Sequence, residues 1–365
     1  MKNSPPETLA TTVVPHAPRP EITPRPDDGA APVSQTPRWA ATLAASAALA
    51  ACGGGGGDGT VGAPSGPGPS TGGGNYRAAT TDQEAARFLL QAQFSASTAD
   101  IAALRATTYA DWLDSQFNAP ASLSGWDWLN QRGYADISKE TAYYDNSYPA
   151  DYMVWYQLMK SPDGLRKRVA LALSEICVVS TSGVDVSWRS HAMAWYWDQL
   201  VNNAFGNYRS VLQDVTLNAA MGYYLNTRGN QKENTATGRQ PDENYAREVM
   251  QLMSIGLAEL HPDGSPKRDS AGKPIDSYTL SDVSNLARVF TGYDYDQSQN
   301  TPSAVPSTTR TVPSPTFARL PMALTASRHS TLAATLLGTT VPANTAGPAA
   351  LNIALVALFN HANVG

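Results

Sequence analysis

Cysteine is scarce in this chain, with two in 365 residues, which allows one disulfide at most and excludes a disulfide framework. Cys52 follows an apolar run, whereas Cys177 lies inside Leu173-Ser-Glu-Ile-Cys-Val-Val179. A free cysteine in such surroundings behaves as a small hydrophobe, so Cys177 reads as a core thiol. A basic excess is missing as well. The 26 Lys and Arg against 31 Asp and Glu leave a formal charge of -5, which lacks the footprint of a general nucleic-acid binder. No nucleic-acid partner is expected. Outside the Gly-rich stretch of residues 52–79, no Gly-x-Ser-x-Gly, P-loop, dinucleotide fingerprint or His-Glu-x-x-His occurs. His16, His191, His261, His329 and His361 are isolated and form no local metal-ligand motif. No cofactor is indicated by spacing, and a metal would need ligands distant in the chain. Few segments alternate with period two, so strands should be scarce.

What the chain does contain begins with an address. Arg38 precedes the apolar run Trp39–Ala51, too short for the roughly 20 residues of a bilayer span but suited to the apolar core of a signal peptide. Leu49-Ala-Ala-Cys52 looks like a bacterial lipobox, in which the Cys52 sulfur receives diacylglycerol. Residues 1–51 therefore read as a signal peptide, with an unusually long Pro-rich stretch before the apolar run. Residues 52–79 read as the lipidated cysteine and a Gly-rich tether. Glycine rather than aspartate follows Cys52, which implies outer-membrane sorting by resemblance to Gram-negative lipoproteins. The expected location is the cell envelope, with the membrane as partner through the lipid on Cys52.

From residue 80 to residue 365 the pattern is mainly α, an irregular multi-helical domain with at most a small hairpin. Its 42% hydrophobic content suffices for a substantial core. Thr81-Asp-Gln-Glu84 is a capping-box pattern. Helices are expected after Thr98, over Tyr109–Phe117, from Asp151, over Leu165–Val179 and over His191–Phe205. Another runs from Asn207 toward Tyr224, and further ones cover Ser281–Thr291, a stretch after Arg328-His-Ser-Thr331, and Leu351–Phe359. Between residues 121 and 150 Trp126, Trp128, Tyr143, Tyr144 and Tyr148 stand among turn residues and either pack a loop onto the core or line a groove. In Leu165–Val179 the cations Arg166, Lys167 and Arg168 open the helix, and Val169, Leu171, Leu173 and Ile176 are expected to bury it. Glu175 interrupts that apolar run, so its carboxylate needs a partner and it is a candidate site residue. His261–Asp276 carries two turn signals; Asp263, Asp269 and Asp276 read as turn chemistry or, less simply, as calcium ligands.

The stretch Pro241-Asp-Glu-Asn-Tyr-Ala-Arg-Glu-Val-Met-Gln-Leu-Met-Ser-Ile-Gly256 carries two periodicities at once. Val249, Leu252, Met253 and Leu257 recur at helical spacing as a core face, while Asn244, Arg247, Glu248 and Gln251 form a polar line. Pro241 suits the first turn and Gly256 the stop.

Four motifs in this order resemble the bacterial domain of unknown function 1800 family. They are Leu165-Arg-Lys-Arg-Val-Ala-Leu-Ala-Leu-Ser-Glu-Ile176, Ala204-Phe-Gly-Asn-Tyr-Arg209, Asp242-Glu-Asn-Tyr-Ala-Arg-Glu248, and Tyr278-Thr-Leu-Ser-Asp-Val-Ser-Asn-Leu-Ala-Arg-Val-Phe-Thr-Gly292. The resemblance implies an exported helical protein, often made beside a co-exported sulfatase- or phosphatase-like protein, and a family domain that continues past residue 365. It implies no established reaction. Ser330 follows His329 where relatives often have Asp, which puts a His329-centred acid pair in doubt.

Two functions follow. In one, an envelope enzyme uses Glu248, Arg247 and Asn244 for acid/base work or anion binding, with Glu175, Arg209, Asp214, Arg288 and His329 as second contributors. In the other, a tethered module binds a partner protein or surface polymer without turnover, and the polar line is architectural. The pairs Glu243/Arg247 and Asn244/Glu248 are spaced i,i+4, which also stabilises ordinary helices.

Overall fold

The computed structural model describes residues 77–139 and 142–364, so the expected signal peptide, lipobox and most of the tether lie outside the described residues. Twelve α-helices account for most of the regular structure among the described residues. The first three, α1 (Asp82–Ala92), α2 (Thr98–Arg105) and α3 (Tyr109–Asn118), bury a small cluster of Ala79, Ala85, Leu89 and Leu104. Thr81 caps α1 through the Glu84 amide, but the Glu84 carboxylate turns to Thr80 and Arg77 instead of closing the capping box.

The main core is built by α4 (Gly125–Gln131), α5 (Tyr148–Lys160), α6 (Gly164–Ile176) and α7 (Arg189–Asn202), then α8 (Tyr208–Thr216) and α9 (Ala219–Tyr224). It is completed by α10 (Asn244–Gln251), α11 (Leu280–Val289) and α12 (Gly347–Phe359). One helix was expected from Asn207 toward Tyr224, yet the chain breaks after Thr216, where Asn218 caps α9 by accepting from the Ala220 and Met221 amides. Three two-stranded antiparallel pairs decorate the helices: β1 (Tyr293–Asp294) with β4 (Ala323–Leu324), β2 (Ser303–Ala304) with β3 (Thr311–Val312), and β5 (Ala334–Leu336) with β6 (Thr339–Val341). The β5–β6 hairpin stands where a short helix was expected, because β-branched Thr335, Thr339, Thr340 and Val341 flank a Leu337-Gly338 turn of positive φ. Between residues 258 and 276 isolated antiparallel bridges form the expected turn-rich excursion. Asp263 and Asp269 cap its turns by accepting from the Ser265, Ala271 and Lys273 amides. No described helix is long and apolar enough to cross a membrane.

Helix α6 is rotated relative to its expected setting. Gly164, Lys167 and Ala170 face the core, whereas Ile176 is 43% exposed and Glu175 lies on the surface. Small residues let α6 approach α7 closely, and that face also carries a buried ion pair, so Glu175 is not the buried carboxylate its neighbours suggested. Lys167 Nζ stands 3.5 Å from Asp163 Oδ2, both side chains being 1% exposed. Asp163 accepts from the Ser122 amide, and Asp198 on α7 accepts from Gly125 and Trp126 at 2.6 and 3.0 Å, closing the first turn of α4. Cys177 is a buried free thiol whose burial pushes its pKa up to about 11, in keeping with its core reading.

Two buried groups on α7 titrate against each other. Burial pushes Asp198 up to about 6, despite its two backbone donors and nearby Lys167. Burial also pushes His191, wedged edge-on between Trp126 and Trp188, down to about 4. The His191 contribution to stability is present above its ordinary 6.5 and lost as pH falls to about 4. The Asp198 contribution is present below its ordinary 3.8 and lost as pH rises through about 6. The two slopes are opposite in sign. Asp198→Asn should therefore make urea stability rise between pH 4 and 6.5 by about 3 kcal/mol relative to wild type, and His191→Gln should make it fall by a similar amount. Parallel pH profiles in all three proteins would contradict this assignment.

Candidate functional site

Helix α10 occupies less of its stretch than expected. Pro241 and Asp242 precede it, the Asp242 carboxylate accepting from the Asn244 amide, and the chain winds out through Met253 to Gly256 at φ +74. The Ile255 and Gly256 amides both return to the Met250 carbonyl, a left-handed termination that favours glycine. The buried face is Tyr245, Ala246, Val249 and Met250, extended by Met253. Leu252 and Leu257, expected in the core, are 63% and 61% exposed. The bulk of Tyr245 sets the face, turning Leu252 outward, and Leu257 falls beyond the glycine. Tyr245 packs edge-on to Phe290 at 4.9 Å, and its hydroxyl lies 2.7 Å from Thr216 Oγ1, tying α10 to α11 and α8.

Asn244, Arg247, Glu248 and Gln251 lie on the opposite side, all half-buried. The cover comes from Tyr278 and from Ser284 on α11. The Tyr278 hydroxyl donates to Gln251 Oε1 at 3.4 Å. Burial raises the Tyr278 phenol pKa; nearby Arg247 lowers it, and Glu248 and Asp276 raise it. Arg247 pairs with Glu243 at 3.1 Å, and the other Glu243 oxygen accepts from the Ser284 hydroxyl. Arg247, Glu243 and Ser284 thus form one chain of contacts across the α10–α11 seam.

One turn further along α11, Arg288 reaches an amide and a carbonyl, donating to Asn285 Oδ1 at 2.6 Å and to the Ala333 carbonyl at 3.5 Å. His329 is buried, and its Nδ1 lies 2.8 Å from the Thr291 carbonyl; since a carbonyl only accepts, Nδ1 carries the proton. Ser330, standing where an acid was looked for, donates to Glu233 at 3.0 and 3.1 Å. Arg288, His329 and Ser330 enclose about 10 Å³, room for one water at most. Arg209 and Asp214 go elsewhere: Arg209 to Gln213 on α8 and Asn352 on α12, Asp214 to Asn203. Among the described residues, no three His, Cys, Asp or Glu side chains come together as metal ligands.

Sequence reasoning missed Tyr278, Ser284, Glu233 and Thr291. Tyr278, Ser284 and Thr291 lie inside the motif Tyr278–Gly292, which was the available signal.

These features define a class: an irregular multi-helical domain whose central helix turns one face into the core and braces the other against the next helix through a polar seam. Within that class the chain belongs to the family described as Protein of unknown function (DUF1800), whose model matches residues 87–365. No curated protein and no solved structure matched the chain.

Proposed function

We propose that this protein is a lipid-anchored envelope module that binds a partner protein or surface polymer without turnover, and that the α10–α11 polar seam is its brace. The supporting observation is how the seam spends its polar groups. Arg247, Glu243 and Ser284 satisfy one another, Arg288 and His329 are held by an amide and by backbone carbonyls, and Ser330 holds Glu233. The space beside Arg288 and His329 is too small for a substrate. The lipobox at Cys52 and the Gly-rich stretch after it support an outer-membrane anchor with reach. A co-exported sulfatase- or phosphatase-like protein is the partner carried by the family resemblance.

The test is the unfolding free energy of Glu243→Gln, Ser284→Ala and the double variant, beside Glu248→Gln. The two brace groups should be coupled, and Glu248→Gln should stay within about 0.5 kcal/mol of wild type.

A further inference from the structure

A second polar feature lies beside the N-terminal end of α10. Residues 226–242 fold around an open basin of about 370 Å³, lined by Asn226, Arg228, Gln231, Arg239, Gln240 and Asp242 with the backbone of Gly229 and Asn230 between them. No apolar side chain lines it.

The basin is held rigidly. Asn230 and Asp242 exchange hydrogen bonds across its base at 2.9 and 3.1 Å, and the Gly229 and Lys232 amides donate to the Tyr293 and Arg328 carbonyls, each at 2.8 Å. Arg228 lies over the Tyr295 ring at 4.3 Å and pairs with Asp294, which Arg328 also approaches at 3.5 Å. One carboxylate thus serves two guanidiniums. Arg239 has no carboxylate partner among the described residues and donates only to the Lys232 carbonyl. The one lining carboxylate, Asp242, is engaged with the Asn244 amide of α10. The side chains of Asn226, Gln231 and Gln240 make no hydrogen bond within the described residues.

We infer that this basin is a binding site for an acidic sugar, a saccharide unit bearing one carboxylate or phosphate. Three amides offer donors and acceptors to neighbouring hydroxyls. Arg239, with Arg228 beside it, offers the planar fork that takes a carboxylate or phosphate through two parallel bonds. The all-polar lining rules out an apolar ligand, and no aromatic ring in the basin could stack a nucleobase. The pinned backbone lowers the ordering cost of binding. This inference rests on the binding-module reading and supplies its ligand class.

The experiment is calorimetric titration of the purified protein with glucuronic acid, glucose 6-phosphate, glucose and inorganic phosphate, repeated on Arg239→Gln, Arg239→Lys and Gln231→Ala. At least one acidic sugar should bind about ten-fold tighter than glucose and than inorganic phosphate, and which one does identifies the acid group. Arg239→Gln should lose about ten-fold in affinity with an unchanged unfolding midpoint, Arg239→Lys should lose less, and Gln231→Ala should weaken the sugars without weakening phosphate. Absence of binding by both acidic sugars, equal binding of glucose, equal binding of inorganic phosphate, or an Arg239→Gln protein that binds like wild type would each overturn the proposal. Any of these would leave the Glu243–Ser284 coupling untouched, so the ligand and the module fail separately.

Discussion

Lys167→Met should lower the unfolding free energy by about 3–5 kcal/mol, the usual result of leaving a buried charge without its partner. Lys167 is fully buried, and two carboxylates, Asp163 and Asp198, depend on its charge. Burial lowers the Lys167 pKa while both aspartates raise it, so the cation and its carboxylates stabilise one another against desolvation. Methionine fills similar volume, which separates the lost charge from a cavity effect. Adding Asp163→Asn removes the stranded carboxylate, so the double variant should recover at least half of the loss. Urea unfolding of the two proteins measures both. Wild-type stability in Lys167→Met would mean that the cluster contributes nothing.

Gly292→Ala should cost about 2–4 kcal/mol, combining left-handed strain with overpacking. Gly292 has φ +91, and a Cβ there would stand 3.0 Å from the His329 amide nitrogen and 3.0 Å from the Thr325 carbonyl oxygen. Those are backbone atoms and cannot swing aside. The Gly292 amide donates to the Asn230 carbonyl, and its carbonyl accepts from the Thr325 amide, so one residue joins the basin loop, β4 and the His329 segment. Gly133 provides the control. It has φ +78 with nothing within 4 Å of a Cβ, and Gly133→Ala should cost only about 1 kcal/mol. Equal losses in the two variants would show that the close approach at Gly292 carries no energy.

How much of this was legible in the sequence depended on how local each feature is. Caps and periodicity located most helices, because Thr81 and Asn207 accept from amides two or three residues onward. The polar line of α10 was legible for the same reason, since side chains at i, i+3, i+4 and i+7 share a face whatever surrounds them. Its cover was not. Tyr278 and Ser284 meet Gln251 and Glu243 from 27 and 41 residues away, and spacing carries no trace of that distance. The face of α6 was misread because a lysine sits where the pattern called for an apolar side chain, made tolerable by Asp163 one turn earlier and Asp198 on another helix. Strand pairs of two or three residues are too short to show alternation.

The brace itself is tested most directly by the double-mutant cycle of Glu243→Gln and Ser284→Ala, read by urea unfolding of the purified protein. A coupling energy of about 1 kcal/mol is the expected result, because the serine hydroxyl donates across the seam to the Glu243 carboxylate, which also pairs with Arg247 on its own helix. Additive effects within about 0.3 kcal/mol would contradict it, leaving Glu243 and Arg247 as groups held ready for a ligand.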